Sequence, residues 1–399
     1  MRQAPKWRQF IPTSRQIRFR IQQQFAKISP SLAHHFNYYA HARDPQNDHV
    51  LAYENLSENE QTLPAQQVEF LENYALLELK TCGQIHPNGQ CCTRLWLLEN
   101  AKVLGHTGAS VSVKHKHQLE PVEKNRARFK ALKPKYLQGQ ALNFLGMASG
   151  HRHYYHFLMD NLPDLLYLLQ NRHQWQSAMA QAQPLYLLVR EDLNDVQENL
   201  FKTLAQTLPN LVVTKVASTA ACFIDQLYVL NSIHNCAFRY PVSFKRAQLI
   251  SDSFKSAYAI DYSTKPFRKL YLSRSDARIR QLKNESEIYP MLLAHGYEII
   301  ISGKLPHAEQ VKLFHEAKHV IAPHGAALTN LIFMQPGGEL LEIFPQNYIQ
   351  SAFLWLAHIM DVEHTPLIAS KSVSHQHFQL TADHKQKLKS YLQRQKNAE

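Results

Sequence analysis

The chain reads as an α/β protein of two domains, each a sheet flanked by helices, facing each other across a cleft. Three observations predict this. From about residue 267 onward, short apolar runs alternate with helical patterns, the rhythm of parallel strands joined by helical crossovers. A similar alternation runs through the second half of the preceding region, to about residue 230. With 45% hydrophobic and 19% charged side chains, the 399 residues suffice for two ordinary cores and fit neither a disordered nor a fibrous chain.

Residues 1–70 form a basic N-terminal extension, polar and irregular. Arg2, Lys6, Arg8, Arg15, Arg18, Arg20 and Lys27 interleave there with Phe10, Ile11, Ile17, Phe19, Ile21 and Phe25. No apolar stretch of the secretory type follows these charges, and no run of 18 apolar residues occurs anywhere. The segment reads first as a solvated basic arm and second as a peripheral anchor on an acidic membrane surface. Cys82, Cys91, Cys92, Cys222 and Cys236 are odd in number, which fits a reducing, cytoplasmic compartment, and their spacing departs from zinc patterns.

Residues 71–241 form the first domain. Strands are expected at 75–79, 95–98, 141–145, 184–189, 211–214 and 226–230, with a turn at 87–89 and a charged loop at 114–135. Helical patterns occupy 152–170 and 193–207. The second domain, 242–375, opens with a helix to about 259 and a linker at 261–266. Strand–helix pairs follow at 270–273 with 285–295, 298–301 with 307–316, 319–322 with 326–333, and 339–344 with 348–360. Residues 376–399 are left as a C-terminal helix or tail.

Lys and Arg exceed Asp and Glu by 44 to 32, a net charge of +12, which favours anionic partners without choosing among them. Twelve glycines exclude glycine-rich architectures, and the dinucleotide, P-loop and GxSxG fingerprints are missing. Asp-x-Asp is missing too; Glu58/Glu60, Glu285/Glu287 and Asp361/Glu363 come nearest.

Three segments carry chemistry. Over 320–330, a strand runs into Pro323-His324-Gly325-Ala326 and then a helix. Such a turn lies at the carboxyl edge of a doubly wound sheet, where free amides suit an anion; taken alone, it reads first as an ordinary strand-to-helix turn. Over 269–280, Arg274, Arg278 and Arg280 follow a strand, suited to phosphate or simply a solvated basic loop. Over 150–164, His153, His156 and Asp160 fall on one helical face. There His156 and Asp160 form either a general-base pair or a structural one.

These segments, quoted as residues 150–169, 268–288 and 296–345, resemble glycosyltransferase family 61, also described as a capsular-polysaccharide biosynthesis domain. The most specific stretch is 296–345, with PHGAALTN at 323–330 and LEIFP at 341–345. The resemblance covers about 75–365. It implies a GT-B-like pair of Rossmann-type domains and an inverting, metal-independent transfer of sugar from a nucleotide-sugar donor to a glycan or glycolipid acceptor. It also implies a role in capsule or lipooligosaccharide synthesis. Arg274 and Arg280, with Arg278 competing, would face the diphosphate, and Asn284 would fix their loop. His324, Gly325 and Ala326 would meet the phosphates, with Thr329 and Asn330 nearby and Glu342 beside the ribose or sugar. Asp160 and His156 would supply the base, with His153 on the acceptor side. No metal or cofactor is expected, since the nucleotide sugar is a substrate, and no nucleic acid. The rival class is a non-catalytic polysaccharide- or nucleic-acid-binding protein.

Overall fold

The computed structural model of the protein describes residues 40–41, 50–55, 92–106, 108–112, 117–119, 133–145, 153–170, 184–232, 244–370 and 377–398. The basic arm up to residue 29, the strand expected at 75–79, the turn at 87–89, and Cys82, Cys91 and Cys236 lie outside them. The chain divides into two compact units: residues 1–56, 92–151 and 170–235, and residues 57–91, 152–169 and 236–399.

The first unit is built on a nine-stranded sheet. Its strands are β1 (Ala40–His41), β2 (Val50–Asn55), β3 (Cys92–Leu104), β4 (Ser110–Ser112), β5 (His117–Leu119), β6 (Lys133–Asn143), β7 (Leu185–Arg190), β8 (Leu211–Val216) and β9 (Ala220–Ser232). The order is β1-β5-β4-β3-β9-β6-β7-β8, with β2 also on β3. The sheet is mixed: β9, β6, β7 and β8 run parallel, whereas β3 pairs antiparallel with β9 along most of its length. The Rossmann-type layer expected here therefore extends through a long antiparallel ribbon. Short apolar runs reveal only part of it, because charged and polar residues interrupt both ribbon strands.

The second unit has a five-stranded, wholly parallel sheet. Its strands are β10 (Arg268–Leu272), β11 (Tyr297–Ile300), β12 (Ala317–Pro323), β13 (Gly338–Phe344) and β14 (Val362–Ile368), in the order β11-β10-β12-β13-β14. Counted within the unit this is 2-1-3-4-5, the doubly wound order in which a ligand crevice opens where the connections change direction, between the first and third strands. Here that place lies beyond β10 and β12.

Helices in chain order are α1 (Leu162–Gln170), α2 (Asp195–Thr207), α3 (Phe244–Ala257), α4 (Tyr289–Ala294), α5 (His307–His315), α6 (Ala352–Ile359) and α7 (Ala382–Ala398). In the first unit, Asn194 and Gln197 close a reciprocal capping box on α2. In the second, one face of the sheet buries Tyr271, Ile321, Leu341, Ile343 and Leu367 against Leu292 of α4 and Leu388, Tyr391 and Leu392 of α7. The terminal helix, expected as a helix or tail, is thus part of this core. Leu388→Ala should lower the unfolding free energy by about 2–5 kcal/mol. A urea midpoint matching that of the parent chain would show α7 to be dispensable.

Candidate functional site

Strand β10 ends at Leu272, and Ser273 and Arg274 follow it. Its exit is riveted by Glu285, whose carboxylate accepts from Ser273 Oγ at 2.7 Å and Tyr271 Oη at 3.1 Å. Asn284 holds the same loop by pairing with both backbone polar groups of Leu380, at 2.9 and 3.0 Å. Arg274 turns back, and its guanidinium donates to the carbonyls of Arg280 and Ile279 at 3.3 and 3.1 Å.

The far side of that guanidinium rests on Gly325, just past the end of β12. A Cβ at Gly325 would lie 1.6 Å from Arg274 Nη1. Only glycine permits this approach, so the pair spans the switch point. Arg280 adopts a left-handed backbone (φ 55°) and sets its guanidinium over the Tyr348 ring at 4.9 Å. Arg278 is exposed. Burial, then the nearby Arg280, pulls Arg274 down to about 10, so it remains charged at neutral pH. A largely desolvated guanidinium, with that of Arg280 near it and the Asp276 and Glu285 carboxylates in range, stands beside the exit of β10.

Beyond Gly325 the chain forms a 3-10 helix, Ala326–Phe333, rather than the α-helix expected. Its first internal bond is Leu328 N to Gly325 O, so the Ala326 and Ala327 amides precede the hydrogen-bonded ladder. Thr329 and Asn330 are both 0% exposed. Asn330 works inward, donating to Gln310 Oε1 at 3.1 Å and accepting from Tyr154 Oη at 2.5 Å.

His324 and Glu342 are also buried. His324 Nδ1 donates to Glu342 Oε1 at 2.6 Å, and His364 Nε2 to Oε2 at 2.8 Å. The His324 ring stacks on Phe344 and meets Tyr348 and Phe353. The sequence reading set Glu342 beside the ribose or sugar; the structure engages both of its oxygens inside the unit.

The segment bearing His153, His156 and Asp160 was placed in the first domain from sequence, and its contacts put it with the second unit. It is also not continuous α-helix: His156–Asn161 is a π-helical turn leading into α1. Pro163 supplies the reason. It lacks an N–H, and its ring would collide with the carbonyl four residues back, so the turn upstream widens. Within the turn, Asn161 Nδ2 also donates to His156 O at 2.6 Å. Such turns recur at functional sites. His153 is exposed and its ring lies 4.5 Å from that of half-buried His156. The Asp160 side chain lies outside what the structure describes.

Tyr154 anchors this segment through a buried chain with a fixed direction. Tyr154 gives its proton to Asn330, so it accepts from His307 Nε2 at 2.8 Å. His307 Nδ1 then accepts from Tyr258 Oη at 2.9 Å. Asn330 passes the series to Gln310, which donates to the carbonyls of Ser302 and Leu305. Burial drives His307 down to about 4. Tyr154, His307, Tyr348 and His364 escaped the sequence reading. They are isolated aromatic or histidine positions, and only the register and loop paths bring them to the site.

A model described as Glycosyltransferase 61 matches residues 154–341. A beta-1,2-xylosyltransferase, RCN11 of Oryza sativa subsp. japonica, is 33% identical over 92 residues, 21% of this chain and 17% of that protein. The chain thus spans about a sixth of the curated relative it matches. Among solved structures, the iron-containing dodecameric glycosyltransferase TibC from enterotoxigenic E. coli H10407 aligns over 65% of this chain and 78% of its own at 14% identity. Its TM-score of 0.23 carries no statement about architecture.

The low His307 value has a consequence for stability. Between pH 6.5 and about 4 the unfolded chain binds the His307 proton and the folded chain does not, so stability falls as pH drops through that window. The loss should approach about 3 kcal/mol at pH 4. His307→Phe should be less stable at neutral pH and lose less on acidification. Chemical denaturation at several pH values checks this, and an unchanged pH slope would remove the assignment.

Proposed function

We propose that the chain, whose residues 154–341 match the Glycosyltransferase 61 model, moves a sugar from a nucleotide-sugar donor to a glycan or glycolipid acceptor, with the donor diphosphate held by the second unit. One observation carries this reading: the Arg274 guanidinium seated on Gly325 with Arg280 alongside, at the switch point of a parallel sheet. Paired positive charge there is relieved by an anion, and a departing nucleoside diphosphate brings the most charge at the moment of transfer.

In this mechanism the acceptor hydroxyl loses its proton to Asp160, oriented by His156, or to His156 itself. The acceptor oxygen attacks the anomeric carbon from the face opposite the diphosphate, inverting that centre. The bond to the diphosphate breaks and its electron pair leaves with the phosphate. Arg274, Arg280 and the amides of Ala326 and Ala327 take up the charge in place of a divalent cation. A GT-B-type arrangement of the two units, the cytoplasmic location, a peripheral hold on acidic membrane by the basic arm, and a role in capsule or lipooligosaccharide assembly belong to the same proposal. They are supported by the sequence resemblance and the net charge of +12.

Arg274→Ala should cut turnover roughly a hundredfold or more, the usual cost of one lost donor to the charge developing in the transition state. Gly325→Ala should act in the same direction with the arginine still present, because the added methyl occupies the place of its guanidinium. Turnover with a panel of nucleotide sugars, with and without chelator, is the measurement. Full activity in both variants would remove the diphosphate site, and loss of activity on chelation would remove the metal-free mechanism.

A further inference from the structure

The arrangement of His324, Glu342 and His364 follows from strand register. Ala322 pairs with Glu342, and Leu340 pairs with His364. Residues two apart share a face, so Glu342 on β13, His364 on β14 and His324, just past β12, line the face opposite Ile321, Leu341 and Ile343. Glu342 is 0% exposed, with one histidine nitrogen on each oxygen. Burial pushes its carboxyl up, but the His324 and His364 hydrogen bonds outweigh this and hold it below the usual carboxylate range. A carboxylate so enclosed has no free oxygen for a sugar, and its buried charge calls for a positive partner.

The two histidines that bind it differ in exposure. His364 has a fully enclosed side chain, and its Nδ1 is buried with no partner among the described residues. The His324 side chain keeps 7% exposure. Among the described residues its Nε2 has no partner, and the next residue in the chain is the glycine that touches Arg274. Of the two rings only His324 keeps exposure, at the carboxyl edge of β12, so it is the one a ligand can meet.

We infer that Glu342 is a positioning residue that, locked by His364, holds His324 as an Nε2–H donor to the departing diphosphate. The inference rests on the transferase reading above. His364 fixes the second carboxylate oxygen so that the first stays on Nδ1 of His324. No covalent step passes through the three side chains; the proton remains on His324 while the diphosphate leaves.

The test uses the full chain and titration calorimetry with uridine, guanosine and adenosine diphosphates, beside turnover and the KM of the acceptor. Glu342→Gln keeps the shape and removes the charge, whereas Glu342→Asp keeps the charge and leaves a void. Glu342→Gln should weaken nucleoside diphosphate binding roughly tenfold to a hundredfold, leave the acceptor KM unchanged, and be the weaker binder of the two. Wild-type binding by Glu342→Gln, or Gln outranking Asp, would overturn the inference, since a packing role alone favours the isosteric side chain. Should Glu342→Gln not fold, His324→Gln reads the same contact and should show the same loss; unchanged binding there also overturns it. A parent chain that binds none of the three nucleotides, with Arg274→Ala no different, would sink the transferase reading itself and this inference with it.

Discussion

The contact between the Arg274 guanidinium and the backbone at Gly325 constrains much of the second unit. It requires β10 and β12 to be neighbours, which the 2-1-3-4-5 order provides. It also requires a residue without Cβ at the exit of β12 and a rigid exit from β10. Glu285 supplies that rigidity by binding Ser273 and Tyr271 at once, and Asn284 ties the following turn to Leu380. Arg280 is held in a left-handed conformation that costs a branched or long side chain roughly 1–2 kcal/mol. That strain is offset by the two hydrogen bonds from Arg274 and the stacking of Arg280 on Tyr348. A loop that only needed to be basic and solvated would have no reason to adopt this conformation.

The buried chain from Tyr258 to Gln310 fixes a second relation, that of the π-helical turn to the loop after β12. Each hydroxyl and amide in the series gives its proton in one direction, so no member can be removed without leaving an unpaired polar atom inside the unit. Such an orphan costs about 1–3 kcal/mol, more than one hydrogen bond contributes when it is made. The consequence is positional. Tyr154 precedes His156 by two residues and Asn330 follows Gly325 by five, so one network sets both segments in the same unit. Motifs far apart in the chain are parts of one body.

What the sequence made legible follows from the physics of each element. Strands β10 to β13 are apolar, short and separated by helices, and their positions could be read to within a few residues. β14 was missed because Pro366 interrupts its pattern, and proline is tolerated there because β14 is the edge of the sheet. In the first unit, Arg94, Glu99, Asn100 and Lys102 break the apolar pattern of β3, so a thirteen-residue strand looked like four residues. In α7 only a narrow stripe of Leu388, Tyr391 and Leu392 is apolar, too little to distinguish a docked helix from a tail. The arginines and the His324-Gly325 turn were visible because charge and glycine punctuate a strand exit. The partners of Glu342 were not, since they lie 18 and 22 residues away and meet it only through strand register.

The histidines show most directly why composition could not separate structural from functional residues. His307 and His324 are buried to almost the same degree. His307 sits between two tyrosine hydroxyls, one donating to it and one accepting from it, so its protons are all assigned and burial alone governs its acidity. His324 gives one nitrogen to a buried carboxylate and keeps the other unengaged by the described residues. The first arrangement is closed and stabilises a packing contact; the second is open at one end and carries buried negative charge behind it. Partner chemistry, more than burial, decides which of 23 histidines can act on a ligand. A helix-face pattern such as His153, His156 and Asp160 therefore only nominates a site, whereas strand register shows which imidazole is backed by a buried carboxylate and adjoins the glycine that touches Arg274.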